Sequence, residues 1–310
     1  MQNALLNIAM ATYNGEKYLK EQLDSIYSQS YQNIQIIACD DCSTDGTVDI
    51  LKVYSQKNGL KFIVNKKRSG FVKTFENAVH LCEGDYIAFS DQDDVWLPNK
   101  LEIQMNYMVE FEKQYPDKPL LIHHDVYIVD EMLTNKNIRF LKTFGHISGL
   151  KNMLFGNAKV QGATVLFNKK LKEISFPLPE NLAFHDLFLS YICEVFGKRI
   201  YINEPYLLYR QHSNNQIGIQ NKSKLEKTRS FFNRKVIIFP EKEADTLMLF
   251  NDRFQNALND SEKIMIHEYF NIYNLKISLY HKVLIIIKNR FNSHGSIFKL
   301  IIKIIRLSIK

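Results

Sequence analysis

Cysteine, tryptophan, glycine and proline are scarce in this chain of 310 residues: four, one, twelve and seven. The cysteines follow no repeating spacing, so no disulfide framework is expected and a reducing compartment fits. Cys39 and Cys42 have the separation of half a zinc or redox site, but no second pair completes it. Little glycine and proline, beside 45% apolar and 24% charged residues, excludes collagen-like and disordered classes. No apolar run reaches the roughly 18 residues of a spanning helix. The opening residues MQNALLNIAMATYNG lack the basic stretch of a signal peptide, so none is expected.

Acidic residues are missing from one whole region. None follows Glu268, while Lys276, Lys282, Lys288, Arg290, Lys299, Lys303, Arg306 and Lys310 do, so the net charge of +7 sits at one end. Lys299, Lys303, Arg306 and Lys310 fall on one helical stripe, with Ile301, Ile304, Ile305 and Leu307 filling much of the remainder. Such a segment suits an interfacial helix on an anionic membrane surface. A helix docked on the protein body, or on a twin subunit in a homo-oligomer, would read the same. No nucleic acid is expected as a partner, because aliphatics stand where base stacking wants aromatics.

Residues 1 to about 130 alternate strand-like and helix-like patterns. Leu5–Ala11, Ile34–Cys39, Phe62–Val64 and Tyr86–Ser90 read as buried strands. Between them, Leu19, Leu23 and Ile26, then Val48, Leu51 and Tyr54, then Phe71, Phe75 and Val79 recur at helical spacing. Pro98 opens a further helix carrying Leu101, Met105 and Met108. Alternation of this kind implies an α/β fold with a mostly parallel central sheet flanked by helices. Leu120–Val129, Ala163–Phe167 and Arg199–Tyr209 add strand-like segments, and His185–Phe196 a helix. Composition shifts toward Asn and Lys beyond Ser213, which places a boundary near residue 215 and a helical region over 216–310.

Ligands of open parallel sheets bind at the carboxyl ends of the strands. Two acidic clusters fall there: Asp40-Asp41, and Asp91-Gln92-Asp93-Asp94. Three carboxylates within four residues exceed what a turn needs, and a divalent cation is the usual counter-charge. All-oxygen ligands favour Mg²⁺ or Mn²⁺. Asp45 and Asp49 read instead as turn and cap residues.

Three segments in this order and spacing resemble glycosyltransferase family 2, the inverting GT-A group, over about residues 5–215: Ala11–Gly15, Asp40–Thr47 and Ser90–Trp96. The resemblance implies a GT-A fold with a C-terminal helical extension and a metal-dependent hexosyltransferase. Thr12 and Tyr13 would line a nucleotide base, and Asp41, supported by Asp40, would bond it. Asp91 would face the ribose and Asp93 would bind the metal, with Asp94 bracing the loop. Lys73 could approach the diphosphate or simply be a solvated lysine. Cys42 stands where the family commonly has glycine. In Ala183–Leu189 a His185-Asp186 pair replaces the family's Glu-Asp. It implies Asp186 as catalytic base, although an acid at a helix start also suits the dipole. Within Tyr209–Asn215, His212 would complete the metal site and Arg210 lie near the diphosphate. Gln161 and Gly162, with His185, would line the acceptor or sugar site; an ordinary turn glycine would look the same. His123-His124-Asp125 alternates across a strand and reads as structural.

These segments together resemble the rhamnosyltransferase-like branch. It uses dTDP-L-rhamnose to build capsule, O-antigen or cell-wall polymers on lipid-linked acceptors at the cytoplasmic face of a membrane. Relatives with similar motifs use UDP-hexoses. The competing readings are a non-catalytic nucleotide-sugar-binding scaffold, a nucleic-acid binder and a nucleotidyltransferase. The last would want a glycine-rich phosphate loop where Thr12-Tyr13-Asn14-Gly15 stands.

Overall fold

The structure is a computed structural model that describes residues 4–141, 148–155, 160–212, 241–273, 276–291 and 296–308. Its strands are β1 (Leu6–Thr12), β2 (Ile34–Asp40), β3 (Lys61–Val64), β4 (Tyr86–Ser90), β5 (Val95–Trp96), β6 (Leu120–Val129), β7 (Asn135–Arg139), β8 (Leu166–Asn168) and β9 (Lys198–Arg210). They form one sheet in the order β3-β2-β1-β4-β8-β6-β9-β5, with β7 on β6. β1 is parallel to β2 and β4, β2 to β3, and β6 to β9; β8 runs against both of its neighbours.

Period-two burial explains the central strands. Leu6, Ile8 and Met10 of β1, Ile36 and Ala38 of β2, and Tyr86 and Ala88 of β4 share one core. The alternate residues Ala9, Ile37, Cys39, Ile87 and Phe89 belong to the other. Both faces are covered, so these strands are continuous apolar runs. The first core is closed by α1 (Leu19–Tyr27), α2 (Thr47–Asn58) and α4 (Lys100–Gln114). The second is closed by α3 (Phe71–His80) and α7 (His185–Phe196), beside the short α5 (Leu150–Phe155) and α6 (Lys169–Ser175). Each successive crossover from β1 through α1 and α2 adds a strand on one side. α3 then returns across β1 and β2 to place β4 on the other side. Strand order reverses between β1 and β4, and a crevice opens at such a point beyond the carboxyl ends.

The strand expected over Ala163–Phe167 is shorter. Gly162–Thr164 coils into a 3₁₀ turn, because the Thr164 N–H and hydroxyl both donate to the Gln161 carbonyl, and β8 starts only at Leu166. β5, β7, α5 and α6 carry too little periodic sequence to be anticipated.

The C-terminal helices are α8 (Glu241–Phe254), α9 (Asp260–Tyr273), α10 (Leu279–Lys288) and α11 (Ile297–Ser308). Phe250 and Phe254 of α8 pack on Phe188 and Phe196 of α7, and Ile266, Ile286, Leu300 and Ile304 join the same core. The apolar side expected to enter a membrane from the terminal helix is thus partly spent inside the protein: Leu300 and Ile304 are fully buried. The boundary near residue 215, Lys310, and the side chains of Lys299, Lys303, Arg306 and Leu307 lie outside the described residues. No described helix is long and apolar enough to cross a membrane.

Candidate functional site

The loops after β1, β2 and β4 meet because their strands end side by side; Thr12 is in register with Asp40. Thr12 Oγ1 donates to Asp40 Oδ2 at 2.8 Å, and Ser43 N–H and Oγ donate to the same carboxylate at 2.8 and 2.6 Å. Asp40 is therefore a buried brace. The loop expected to need glycine places Cys42 at φ +65°, a left-handed conformation, with its Sγ donating to the Asn65 carbonyl. Asp45 bonds the N–H groups of Thr47 and Glu16, as a cap would.

Asp41 is more occupied than the sequence suggests. Its carboxylate accepts Asn65 Nδ2 at 2.9 Å and the N–H groups of Ser69 and Gly70 at 2.7 and 2.9 Å. Burial opposes its ionisation, but these bonds outweigh burial and hold the carboxyl below its ordinary range. Thr74 adds to these bonds, so Asp41 is a well-satisfied, buried carboxylate. Tyr13 is half-buried, and its ring carries the Arg68 guanidinium at 4.0 Å. Gln92 pairs with both Tyr13 backbone groups, at 2.8 and 2.9 Å. Its amide lies where a Gly15 Cβ would be, 2.2 Å from Oε1, so a side chain at residue 15 would displace it from Tyr13. Arg68 and Gln92 were absent from the sequence-based set; both are polar surface types without a distinctive local pattern.

The acidic loop is tied to the far edge of the sheet. β5 pairs with β9, Val95 opposite Leu208 and Trp96 opposite Leu207. This pairing brings residues 91–94 beside Arg210 and His212. His212 Nε2 and Asp93 Oδ2 are 2.8 Å apart. Arg210 N–H donates to Asp94 Oδ1, its Nε to the Asp93 carbonyl at 2.7 Å, and its Nη groups to Glu131 O and the Glu21 carboxylate. The guanidinium also lies 4.6 Å from the Tyr18 ring, and Tyr18 packs against His212 in a tilted arrangement at 4.8 Å. Arg210, expected near the diphosphate, is thus a buried clamp under the acidic loop. Arg210→Gln is expected to lower unfolding free energy by about 2 kcal/mol, the scale of lost charge-assisted bonds. Chemical denaturation measures it, and an unchanged midpoint at unchanged slope would remove the clamp role. Water screens the Arg210–Glu21 pair in part, because Glu21 is half exposed.

Three carboxylates crowd this loop, and Arg210 beneath it is shared with Glu21. Burial first, then repulsion from Asp93 and Asp186, pushes the Asp91 carboxyl up to about 7. Asp94 is raised well above its ordinary range by burial, then by Asp93 and Asp91, and its Oδ2 has no partner among the described residues. Below it, Lys100 is buried 3.6 Å from the Trp96 ring, and burial holds its ammonium well below the usual lysine value. Trp96 anchors the loop by packing, as its burial requires.

Asp186 enters from the first turn of α7, with Leu187 N–H donating to its Oδ1 at 2.8 Å. Burial first raises its carboxyl to about 6, against the N–H groups of Leu187, Asp186 and Gly162, with Glu243 adding to the rise. A Cβ on Gly162 would come 4.0 Å from Asp186 Oδ2 and 3.2 Å from His185 Nε2, so Gly162 keeps the space between them open. Gln161 supplies the carbonyl that folds this turn. His185 is buried among Phe71, Phe75 and Phe89, at 5.9, 4.7 and 4.9 Å, and neither ring nitrogen has a partner among the described residues. Burial lowers its imidazole to about 3, so the ring is neutral.

Lys73 and the His123-His124-Asp125 segment complete the set of residues singled out in the sequence. Lys73 stands one turn into α3 and pairs with Glu76 at 2.8 Å, an exposed i,i+3 pair bordering a groove with His80, Lys172 and Phe176. It is not drawn to the acidic loop, because its neighbour one turn along takes the charge. Asp125 pairs with Arg139 at 3.0 Å and accepts Leu141 N–H, while His123 meets Arg199, so that triplet is structural.

Among the described residues no group of three His, Cys, Asp or Glu side chains converges as a metal site. Asp93 and His212 do converge, in a loop with excess negative charge. One carboxylate and one imidazole suit Mn²⁺ or Mg²⁺ if ligand oxygens and water complete the shell.

Residues 7–117 match the family model of glycosyl transferase family 2. The chain is 39% identical over 105 residues to EpsE of Bacillus subtilis, covering 33% of this chain and 38% of that protein. It is 28% identical over 178 residues to WfgD of Escherichia coli, a UDP-Glc:α-D-GlcNAc-diphosphoundecaprenol β-1,3-glucosyltransferase (57% and 66% covered). It is 29% identical over 222 residues to RfbG of Shigella flexneri, a dTDP-rhamnosyl transferase (67% and 73% covered). The chain thus spans well under half of EpsE and about two thirds of WfgD. Among solved structures, S. aureus TarS 1–349 in complex with UDP-GlcNAc aligns with a TM-score of 0.60 at 17% identity, covering 98% of this chain and 89% of that one. The fold is therefore GT-A.

Proposed function

We propose that this chain is an inverting family 2 glycosyltransferase, which moves a sugar from a nucleotide donor to a lipid-linked saccharide of a cell-surface polymer. The observation that carries the reading is the meeting of Asp93, His212, Asp91 and the raised Asp186 carboxyl at the switch point of a GT-A sheet. Family likeness of residues 7–117 supports it. The names of WfgD and RfbG support a nucleotide-sugar donor, and that of WfgD a diphosphoundecaprenol-linked acceptor. L-Rhamnose from dTDP-L-rhamnose is our donor assignment, on the His-Asp variant and the likeness to RfbG; a UDP-hexose is the alternative.

In this reading the base of the nucleotide lies against Tyr13, with Thr12 beside it, Arg68 flanking the ring and Asp41 on the pyrimidine side. Asp91 takes the ribose, whose hydroxyls can donate to its carboxylate oxygens. Asp93 and His212 would hold a divalent cation, which when bound offsets charge on the departing diphosphate. Asp186 takes the proton of the acceptor hydroxyl as that oxygen attacks the anomeric carbon from the face opposite the diphosphate. Bond formation on one face as the other bond breaks inverts the centre. Gly162 leaves the room that the hydroxyl needs beside Asp186. A panel of dTDP- and UDP-sugars with Mn²⁺ or Mg²⁺, scored for nucleotide release and thermal stabilisation, tests the whole reading. Release from no donor, with no stabilisation by any nucleotide, would leave the scaffold reading in its place.

His185 is assigned to the sugar side of the site, with its neutral ring offering hydrogen bonds to a hydroxyl. His185→Leu replaces two unpaired buried nitrogens with hydrocarbon of similar size. It is expected to raise unfolding free energy by about 1 kcal/mol while lowering kcat/KM about fivefold to tenfold. A gain in stability with unchanged kcat/KM would make the residue purely structural.

A further inference from the structure

The proposed site leaves one exposed surface of the molecule without a role: the outer side of the C-terminal helical pair. α10 is a well-built helix. Ser278 caps it by accepting His281 N–H, and Lys151 Nζ donates to the Asn289 carbonyl at its far end, fastening it to the protein body. Ile286 points inward and is fully buried, as is Phe291 just beyond. The opposite side carries Tyr280, Leu284 and Ile287, which are 69%, 44% and 54% exposed. Their spacing of four and three places them on one face. α11 packs against α10, and its first turn exposes Ile297 and Phe298, the latter at 70%. Grouped large apolar side chains in water mark an interaction surface.

Charge identifies the occupant. Lys288 and Arg290 are exposed at the end of the same helix. Beyond Glu268 the chain has eight Lys and Arg residues and no acid. A symmetric interface between two copies would bring this region against itself, cation facing cation. Nucleic acid would accept the cations but offers little to Leu284 and Ile287. A bilayer with anionic headgroups matches both halves: aliphatic side chains enter the acyl boundary, aromatics sit at the interface and cations meet phosphate. We propose that the Tyr280-Leu284-Ile287 face of α10, with Phe298 of α11, is the surface by which this protein lies on an anionic membrane. The terminal helix then acts chiefly as the inward support of that face, through Leu300 and Ile304. The proposal stands apart from the transfer reading, since it uses no residue of the site.

The test is flotation of the full chain with phosphatidylcholine vesicles, with and without phosphatidylglycerol. Wild-type protein is expected to float with the anionic vesicles only, and less as salt rises. Leu284→Glu/Ile287→Glu is expected to weaken partitioning at least about tenfold with little change in melting temperature, because both side chains are already about half exposed. Lys288→Glu/Arg290→Glu should abolish the preference for phosphatidylglycerol. The proposal is overturned if wild type stays unbound. It also fails if the Leu284/Ile287 variant floats like wild type, or if that variant instead converts a dimer to a monomer. Thermal stabilisation by nucleotide, measured on the same samples, reports on the catalytic reading separately.

Discussion

Asp186→Asn is expected to lower sugar transfer by about 10²- to 10⁴-fold, the usual contribution of a positioned general base, while nucleotide affinity stays within about twofold. Asparagine keeps the shape and the acceptor oxygen but removes the proton-accepting charge. The raised carboxyl gives a second signature. Burial, the largest cause, with Glu243 adding to it, lifts Asp186 to about 6 against the local N–H groups. Transfer should fall about tenfold per pH unit below that value, as the base takes up a proton, and level off above it. The stability effect has the opposite sense. A carboxyl whose folded value exceeds its unfolded value binds protons more tightly when folded. Its contribution is fully present below about 4 and is lost as pH rises through about 6. Asp186→Asn should therefore be more stable than wild type at pH 8 and about equal at pH 4. Kinetics across that range, with thermal unfolding in parallel, checks both. Wild-type-like transfer in the asparagine variant would remove Asp186 from the base role.

Asp93→Ala is expected to reduce metal-dependent nucleotide affinity on the order of 100-fold, about 2.7 kcal/mol. Asp93 and His212 are the two side chains in direct contact that would hold the cation, so alanine removes half of that anchor. The rise in melting temperature produced by nucleotide with Mn²⁺ should shrink to that seen with chelator present. His212→Ala should act in the same direction. Asp41→Asn, by contrast, should weaken nucleotide equally with and without metal, because Asp41 lies on the base side of the crevice, bonded to Ser69 and Gly70. Equal stabilisation of the Asp93 variant and wild type in Mn²⁺ would sink the metal assignment while leaving the nucleotide site standing.

Much of this arrangement is legible in the linear chain, for a simple reason. A strand buried on both faces must be apolar throughout, so β1, β2 and β4 stand out, and the polar residues that end them are forced to the sheet edge. α7 is legible to the residue, since Leu187, Tyr191 and Val195 mark one side of a single regular element. What is not legible is competition among polar groups. Asp41, Arg210 and Lys73 are equally plausible ligand-binding residues by type and place. Which of them stays available depends on whether Ser69, Gly70, Glu21 or Glu76 reaches it first. The terminal helix shows the same limit. Its hydropathy pattern has an apolar side, but the pattern is identical whether lipid or protein covers that side.

The sequence by itself determined the order of strands and helices, the two-sided core and the delivery of Asp40, Asp41 and Asp91–Asp94 to one edge of the sheet, because burial periodicity is a local property. Only the tertiary structure decided that His212 meets Asp93 across 119 residues, that Arg210 is buried beneath both, and that Leu300 and Ile304 face inward. Those outcomes follow from the pairing of two-residue β5 with β9 and from α11 packing on α10. Contacts between elements distant in sequence are fixed by shape and by which polar partner is nearest, and no periodicity along the chain encodes either.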